Sequence, residues 1–385
     1  MLFLPRVWTP QVRSHIRYYA KESKSQIKPP MADTVPKQVV HEEIFRYVNP
    51  FARINVVSDL ILRVKAADVH QYTSGNVFIA QLHGCKPKNT KVSFDVHVSD
   101  DEKIVSVSVK KSAEKVSRFE CHLQVPVRSD LFIEGGDNVS VEGIQSECLQ
   151  VKAEGAIVTK NVRATNISLY SENGNISCEG TLLGKSTEIE THNGNIELDK
   201  LQGDSLKCST KAGNIVTDCC YVEQSKFQTE TGRLELRNVH KTSEVHIHQS
   251  GELNMTGVHG NLQVATKGGS VNLQLSELMG QCSILADNLE NDAVIHISES
   301  IENKSNIEVT ASEVRLDEEL EHVAHALSED KSKFVLSNVN KHQRLIVRST
   351  GEKGVRLGKQ SWSDMMRQKL QDMATKNLKE TNTSH

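Results

Sequence analysis

Aromatic side chains are scarce in this 385-residue chain: nine Phe, six Tyr and two Trp, 4% of the total. The length alone would suggest two or three ordinary globular domains, but there is little bulky material for their cores. Counting glycine in and tyrosine out, apolar residues reach only about 41%, against roughly 45–50% in a typical globular chain. Proline occurs eight times, which excludes a proline-rich, unstructured chain. No apolar run approaches the roughly 18 residues of a membrane-spanning helix. Charge of one sign is also missing. Forty-six Lys and Arg face 49 Asp and Glu, a net charge of −3, so the basic field of a general nucleic-acid binder is absent. The chain contains no Cys-x-x-Cys, Gly-x-Ser-x-Gly, Walker loop or His-Glu-x-x-His, and no Gly-x-Gly-x-x-Gly after a strand.

What is present begins with an address. Residues 1–21 carry Arg6, Arg13, Arg17 and Lys21 and no acid, and the apolar opening ends at Pro5. That opening is too short for a secretory signal, and the composition is that of a mitochondrial transit peptide. Arg17-Tyr18-Tyr19-Ala20 has its arginine three residues before Ala20, so cleavage is expected between Tyr19 and Ala20, with the mature protein in the matrix. Removing residues 1–19 takes away three of the 46 cations, leaving 43 against 49 acids and a net charge of −6. Residues 20–40, with Ser, Lys and three prolines, read as a flexible linker.

The centre of the chain repeats. Gly136, Gly155, Gly174, Gly194, Gly213, Gly232, Gly251 and Gly269 are spaced by 19, 19, 20, 19, 19, 19 and 18 residues. An apolar residue follows each: Val139, Ile157, Ile176, Ile196, Ile215, Leu234, Leu253 and Val271. Two positions further on stand Val141, Thr159, Cys178, Leu198, Thr217, Leu236, Met255 and Leu273, so alternate residues stay small or apolar, as in a half-buried strand. A second strand recurs in each unit, as in Glu188–Thr191 and Lys226–Thr229. Nineteen residues are too few for a helix pair. The Leu-x-x-Leu-x-Leu-x-x-Asn pattern of leucine-rich repeats and the Gly-Gly-x-Gly-x-Asp signature of calcium-binding solenoids are both absent. The fold expected is all-β: a single-stranded parallel β-solenoid whose coils each hold two short strands and two or three corners. The glycines are expected to supply positive φ at those corners. Asn175, Asn195 and Asn214, each following a glycine, are expected to bond to their copies one coil away.

The flanks read as caps. Residues 41–130 form a β-rich N-terminal cap, with strands at Arg53–Val57, Leu60–Val64, Lys91–Val98, Ile104–Val109 and Glu120–Pro126. Residues 131–310 form the solenoid repeats, and residues 311–360 are further coils with an acidic insertion. In 361–385, Trp362, Met365, Met366, Leu370 and Met373 fall on one face of a short terminal helix before a disordered tail.

Candidate chemistry is thin. Cys178 and Cys208 fall on inward positions, and at the adjacent pair Cys219-Cys220 one side chain should face water. His246 and His248 share one strand face, with His240 and His259 nearby; solvated surface histidines are favoured over a metal site, since no Cys or carboxylate stands beside them at a diagnostic spacing. External acids (Glu188, Glu190, Glu197, Asp199, Glu235) interleave with Lys and Arg without forming an acid and base pair.

Phe119–Pro126 followed by Leu131–Gly143 (Leu-Phe-Ile-Glu-Gly-Gly-Asp-Asn-Val-Ser-Val-Glu-Gly) resembles the opening of the putative-adhesin domain family of unknown function. Asn173-Gly174-Asn175-Ile176 and Asn193-Gly194-Asn195-Ile196 fit the same family's repeats, and the resemblance covers about residues 50–350. With its leader, the chain resembles the animal branch called "family with sequence similarity 185". The resemblance implies the solenoid and brings no catalytic residue, and Asn in place of the family's Asp speaks against cations at the corners. The reading is a non-enzymatic mitochondrial scaffold that offers a rigid surface to protein partners, with self-association open and no cofactor, metal or nucleic acid. The alternatives are a solenoid lyase or hydrolase acting on a polysaccharide, and an adhesin-like surface protein.

Overall fold

The structure, a computed structural model, describes residues 39–84, 92–111, 119–338 and 342–359. The expected leader, with Arg17, Tyr19 and Ala20, and the helix expected within 361–385 lie outside the described residues. Among the described residues no helix is long and apolar enough to cross a membrane.

Parallel pairing dominates, because each coil advances by one rung and returns in the same direction. The elements at one end are β1 (Val39–Tyr47), β2 (Arg53–Ser58), β3 (Ile61–Ala66), β4 (Val77–Gly84), β5 (Val92–Val98), β6 (Ile104–Lys111), β7 (Glu120–Val125), β8 (Asp130–Gly135) and β9 (Val139–Glu142). The centre holds β10 (Gln145–Ala153), β11 (Ile157–Ser171), β12 (Ile176–Thr191), β13 (Ile196–Ala212), β14 (Ile215–Arg237), β15 (His240–Thr266) and β16 (Gly269–Leu278). The other end has β17 (Gln281–Asp287), β18 (Ala293–Ile297), α1 (Glu299–Lys304), β19 (Ser305–Thr310), β20 (Val314–Leu316), a 3-10 helix (Glu318–Ala326), β21 (Lys333–Leu336), β22 (Gln343–Thr350) and β23 (Val355–Lys359).

The long central strands turn corners without losing their ladder, and each coil has three runs instead of the two expected. In β12 the buried residues are Ile176 and Cys178, then Leu182 and Gly184, then Thr187, Ile189 and Thr191, with exposed pairs Glu179-Gly180 and Lys185-Ser186 at the bends. The extra run escaped the alternation because it is only about three residues long. Stacking carries the inward positions into continuous columns. Val139, Ile157, Ile176, Ile196, Ile215, Leu234, Leu253 and Val271 are all buried, and so is the column two residues on. Such a core is one coil wide, which is why few aromatics suffice.

The glycine column does a different job from the one expected. Of the eight repeat glycines only Gly232 and Gly269 have φ in the left-handed region, at 146° and 96°. From Gly174 onward, each instead lies against the corner glycine one rung before. A Cβ on Gly194 would come within 2.0 Å of the Gly174 carbonyl oxygen, and one on Gly213 within 2.0 Å of the Gly194 oxygen. The left-handed corner lies between the first and second runs, at Gly143, Asn161, Gly180, Asn238 and Gly257, with φ from 48° to 72°. Gly143, Asn161 and Gly180 are spaced by 18 and 19 residues and Asn238 and Gly257 by 19, a recurrence that the exchange of Gly for Asn obscures in the sequence.

Polar residues bind coil to coil. The Asn175 side-chain oxygen accepts the Asn195 N–H at 2.9 Å, Asn195 accepts from Asn214 and Asn214 from Arg233 at the same distance. The expected asparagine ladder therefore runs from side chain to backbone, while Asn193 and Asn173 pair amide to amide. Buried hydroxyls tie three successive coils to the one before: Ser171, Thr191 and Thr210 donate to the carbonyls of Gly155, Gly174 and Gly194 at 2.8–3.1 Å.

At both ends the rung order departs from chain order. β2 pairs in parallel with both β6 and β8, and β3 with both β7 and β9. The rung made of β2 and β3 thus sits inside the one made of β6 and β7, although it comes first in the chain. Likewise β22 lies between β17 and β19, and β23 between β18 and β20. Antiparallel strands finish the stack: β4 on β7 with β1 beyond it, β5 on β6, and β21 on β19. Within residues 41–130, expected as a cap, β2 and β3 form an interior rung with β6 and β7 stacked outside it. The acidic stretch near 316–332 forms the 3-10 helix, whose Leu320 and Val323 are buried.

Candidate interaction surface

Residues between the inward positions point outward, and the register stacks them at the strand spacing of about 4.8 Å. The external acids are used within these columns. Glu188 receives Lys207 at 2.6 Å, Glu235 bridges Arg233 and Arg237, and Asp199 accepts the Gly180 N–H at 2.8 Å. Glu190 and Glu230 line one groove with Lys211 and His248. Glu190 is in register with Ser209 and through it with Gln228, two residues before Glu230. The two acids are thus two rungs apart and offset by two residues along the strand, about 12 Å at the backbone.

The histidines form rows. Tyr221, His240 and His259 stack with ring centroids 4.3 and 4.9 Å apart, and burial, then the charge of His259, lowers the pKa of His240. His246 and His248 lie parallel at 6.1 Å. Near β1, His83 stacks on His122 at 4.0 Å, and His122 meets Glu120, which also holds Arg63 at 2.8 Å. Among the described residues no three His, Cys, Asp or Glu side chains converge as metal ligands. Cys178, Cys208 and Cys220 are buried, whereas Cys219 is half-exposed. Burial pushes the thiols of Cys121, Cys178 and Cys220 up to about 12 and that of Cys208 well above its usual value.

One feature had no signal in the sequence. Arg63, Arg233, Arg237, Arg315, Arg344 and Arg356 each meet a carboxylate. Among the described residues Arg53, Arg128 and Arg163 do not, and they gather with Lys152 around two neighbouring grooves on β2, β8, β10 and β11. Arg46 and Arg348, also without one, lie on β1 and β22. Arg53 lies 3.9 Å over the Phe132 ring, Arg128 lies 5.7 Å from Phe51, and Lys152 lies 5.9 Å from Tyr170.

The profile of the family described as Toastrack DUF4097 matches residues 62–216 and again 184–352. The chain belongs to the Toastrack DUF4097 family. The two Toastrack matches overlap, as they can where coils repeat without a unique starting point. No curated protein matches the chain. Among solved structures it is similar to a putative adhesin from Parabacteroides distasonis ATCC 8503, with 8% identity over 84% of this chain and 97% of that one and a TM-score of 0.36. It is also similar to a putative adhesin from Bacteroides fragilis NCTC 9343, with 15% identity over 60% and 95% and a TM-score of 0.37. A third, from Parabacteroides merdae ATCC 43184, has 11% identity over 68% and 93% and a TM-score of 0.34.

Proposed function

We propose that this Toastrack protein is a non-enzymatic mitochondrial scaffold of the animal branch named above, imported by its first nineteen residues and binding protein partners on its stacked faces. The observation that supports this reading is the in-register central stack. Glycine contacts, asparagine ladders and buried hydroxyls hold its coils at fixed spacing, so a partner meets side chains already in place and little ordering entropy is lost on binding. The acid-free, arginine-containing first twenty-one residues support import.

The test places one tag at each terminus of the full chain and locates both, then runs proximity labelling from the C-terminal tag. Import predicts loss of the N-terminal tag, a matrix location for the other, and a reproducible set of labelled proteins. Both tags retained at the cell surface would replace this reading with the adhesin-like one. A matrix protein that labels no partner above background would refute the scaffold.

A further inference from the structure

The two neighbouring grooves on β2, β8, β10 and β11 carry the largest group of arginines not engaged by carboxylates among the described residues. One groove, about 320 Å3, is lined by Arg53, Phe132, Glu134 and Lys152, with half-exposed Val57 beside them. The next, about 240 Å3, is lined by Phe51, Arg128, Glu147 and Arg163. We propose that this surface binds an acidic, extended polypeptide segment of a protein partner, which rests on the scaffold reading and gives it a specific docking site.

Four features select that ligand class. First, the arginines are held ready. The Phe132 face supports the Arg53 guanidinium, and its Nε donates to the Asn55 side-chain oxygen at 3.1 Å. The outer N–H groups are left for a carboxylate, in the fork geometry that favours bidentate pairing. Second, the cations are spread along the stack. Arg53 belongs to β2, Lys152 to β10 two rungs on, and Arg163 to β11 one rung further. They therefore span roughly 15 Å at the strand spacing. A single phosphate cannot reach them together, whereas an extended chain presents alternate side chains about 7 Å apart and can. Third, Glu134 and Glu147 line the same grooves without pairing to these cations, and the Asp130 side chain is taken up by the N–H groups of Glu147 and Cys148. Interleaved acids repel the continuous phosphate row of a nucleic acid but leave room for spaced carboxylates. Fourth, Phe51, Phe132 and Val57 give apolar surface to the side chains between the acids.

The experiment uses the full chain and fluorescence anisotropy with a labelled decapeptide of alternating glutamate and serine. The matched glutamine and serine peptide, an oligothymidylate and millimolar inorganic phosphate as competitor are the other arms. The glutamate peptide should bind, weaken with added salt, and lose roughly tenfold in affinity in the Arg53→Gln, Arg163→Gln double variant. Arg344→Gln, which removes an arginine already paired with Glu308, should bind as the parent does. Lys152→Glu provides an independent variant, and thermal melting checks that each is folded. Equal binding by the double variant or by the glutamine peptide would overturn the proposal. So would tighter binding of oligothymidylate, or full competition by phosphate. Proximity labelling with the double variant separates this proposal from the scaffold reading. Partners retained by the variant would refute the groove alone, and peptide binding without any labelled partner would refute the scaffold alone.

Discussion

Adding one methyl group at Gly194 should damage the stack far more than adding it at Gly136, although both glycines occupy equivalent places in the repeat. In Gly194→Ala the new Cβ would lie 2.0 Å from the Gly174 oxygen and 2.5 Å from its carbonyl carbon. An ordinary contact of about 3.4 Å requires the two corners to separate by roughly 1.4 Å. Three hydrogen bonds cross that gap: Ile176 N–H to Asn195, Asn195 N–H to the Asn175 side chain, and Thr191 Oγ1 to Gly174, all 2.9–3.0 Å long. Stretched so far they leave hydrogen-bonding range. At about 0.5–1.5 kcal/mol each, their loss totals about 1.5–4.5 kcal/mol. Gly194 does not have left-handed φ, so no conformational penalty is added. At Gly136 the nearest atom to a new Cβ is 3.5 Å away, and Ala should fall within about 0.5 kcal/mol of the parent. Urea unfolding of the two variants and the parent, followed by circular dichroism, measures the contrast. If the two alanines destabilise equally, close approach is not what demands glycine in this column.

Three further outcomes follow from the core and the ends. Thr217 is buried in the inward column and its hydroxyl has no partner, so Thr217→Val should raise stability by about 1 kcal/mol in the same urea assay; a loss would reveal a bond to that hydroxyl. Native labelling with iodoacetamide at mildly alkaline pH, read by mass spectrometry, should modify Cys219 while sparing Cys121, Cys178, Cys208 and Cys220 until urea is added, since burial keeps those thiols protonated. Glu302 of α1 meets His322 at 2.5 Å and Lys359 at 3.0 Å, the latter an ion pair without hydrogen-bond geometry. Its own burial raises its pKa, but these two contacts outweigh that and hold it below the usual 4.5. A lowered carboxylate pKa adds stability that is present above the unfolded value and lost as pH falls through the folded one. Glu302→Gln should therefore lower the urea midpoint at neutral pH and converge with the parent in acid; an unchanged gap would refute the linkage.

The repeat, the inward columns and the lean core were legible because a solenoid is nearly one-dimensional. Each coil meets its neighbours about nineteen residues away, so local periodicity carries the contacts. β4 carries no period-two signal, because Val77, Phe78, Ile79 and Ala80 are buried on both faces. β1 lies at the edge of the stack, with Phe45 and Tyr47 exposed, and its burial gives no clear pattern either.

The sequence by itself determined the coil length, the residues that face inward and the parallel all-β class, since each rests on spacing along the chain. Tertiary structure alone decided the third run of each coil, the threading of β2–β3 and β22–β23 between later and earlier rungs, and the gathering of Arg53, Arg128, Lys152 and Arg163. Those arrangements join residues up to about a hundred positions apart at the stacked-strand spacing of about 4.8 Å. Nothing in the local sequence records which rung will lie beside which; only the hydrogen bonds and packing of the closed stack select it.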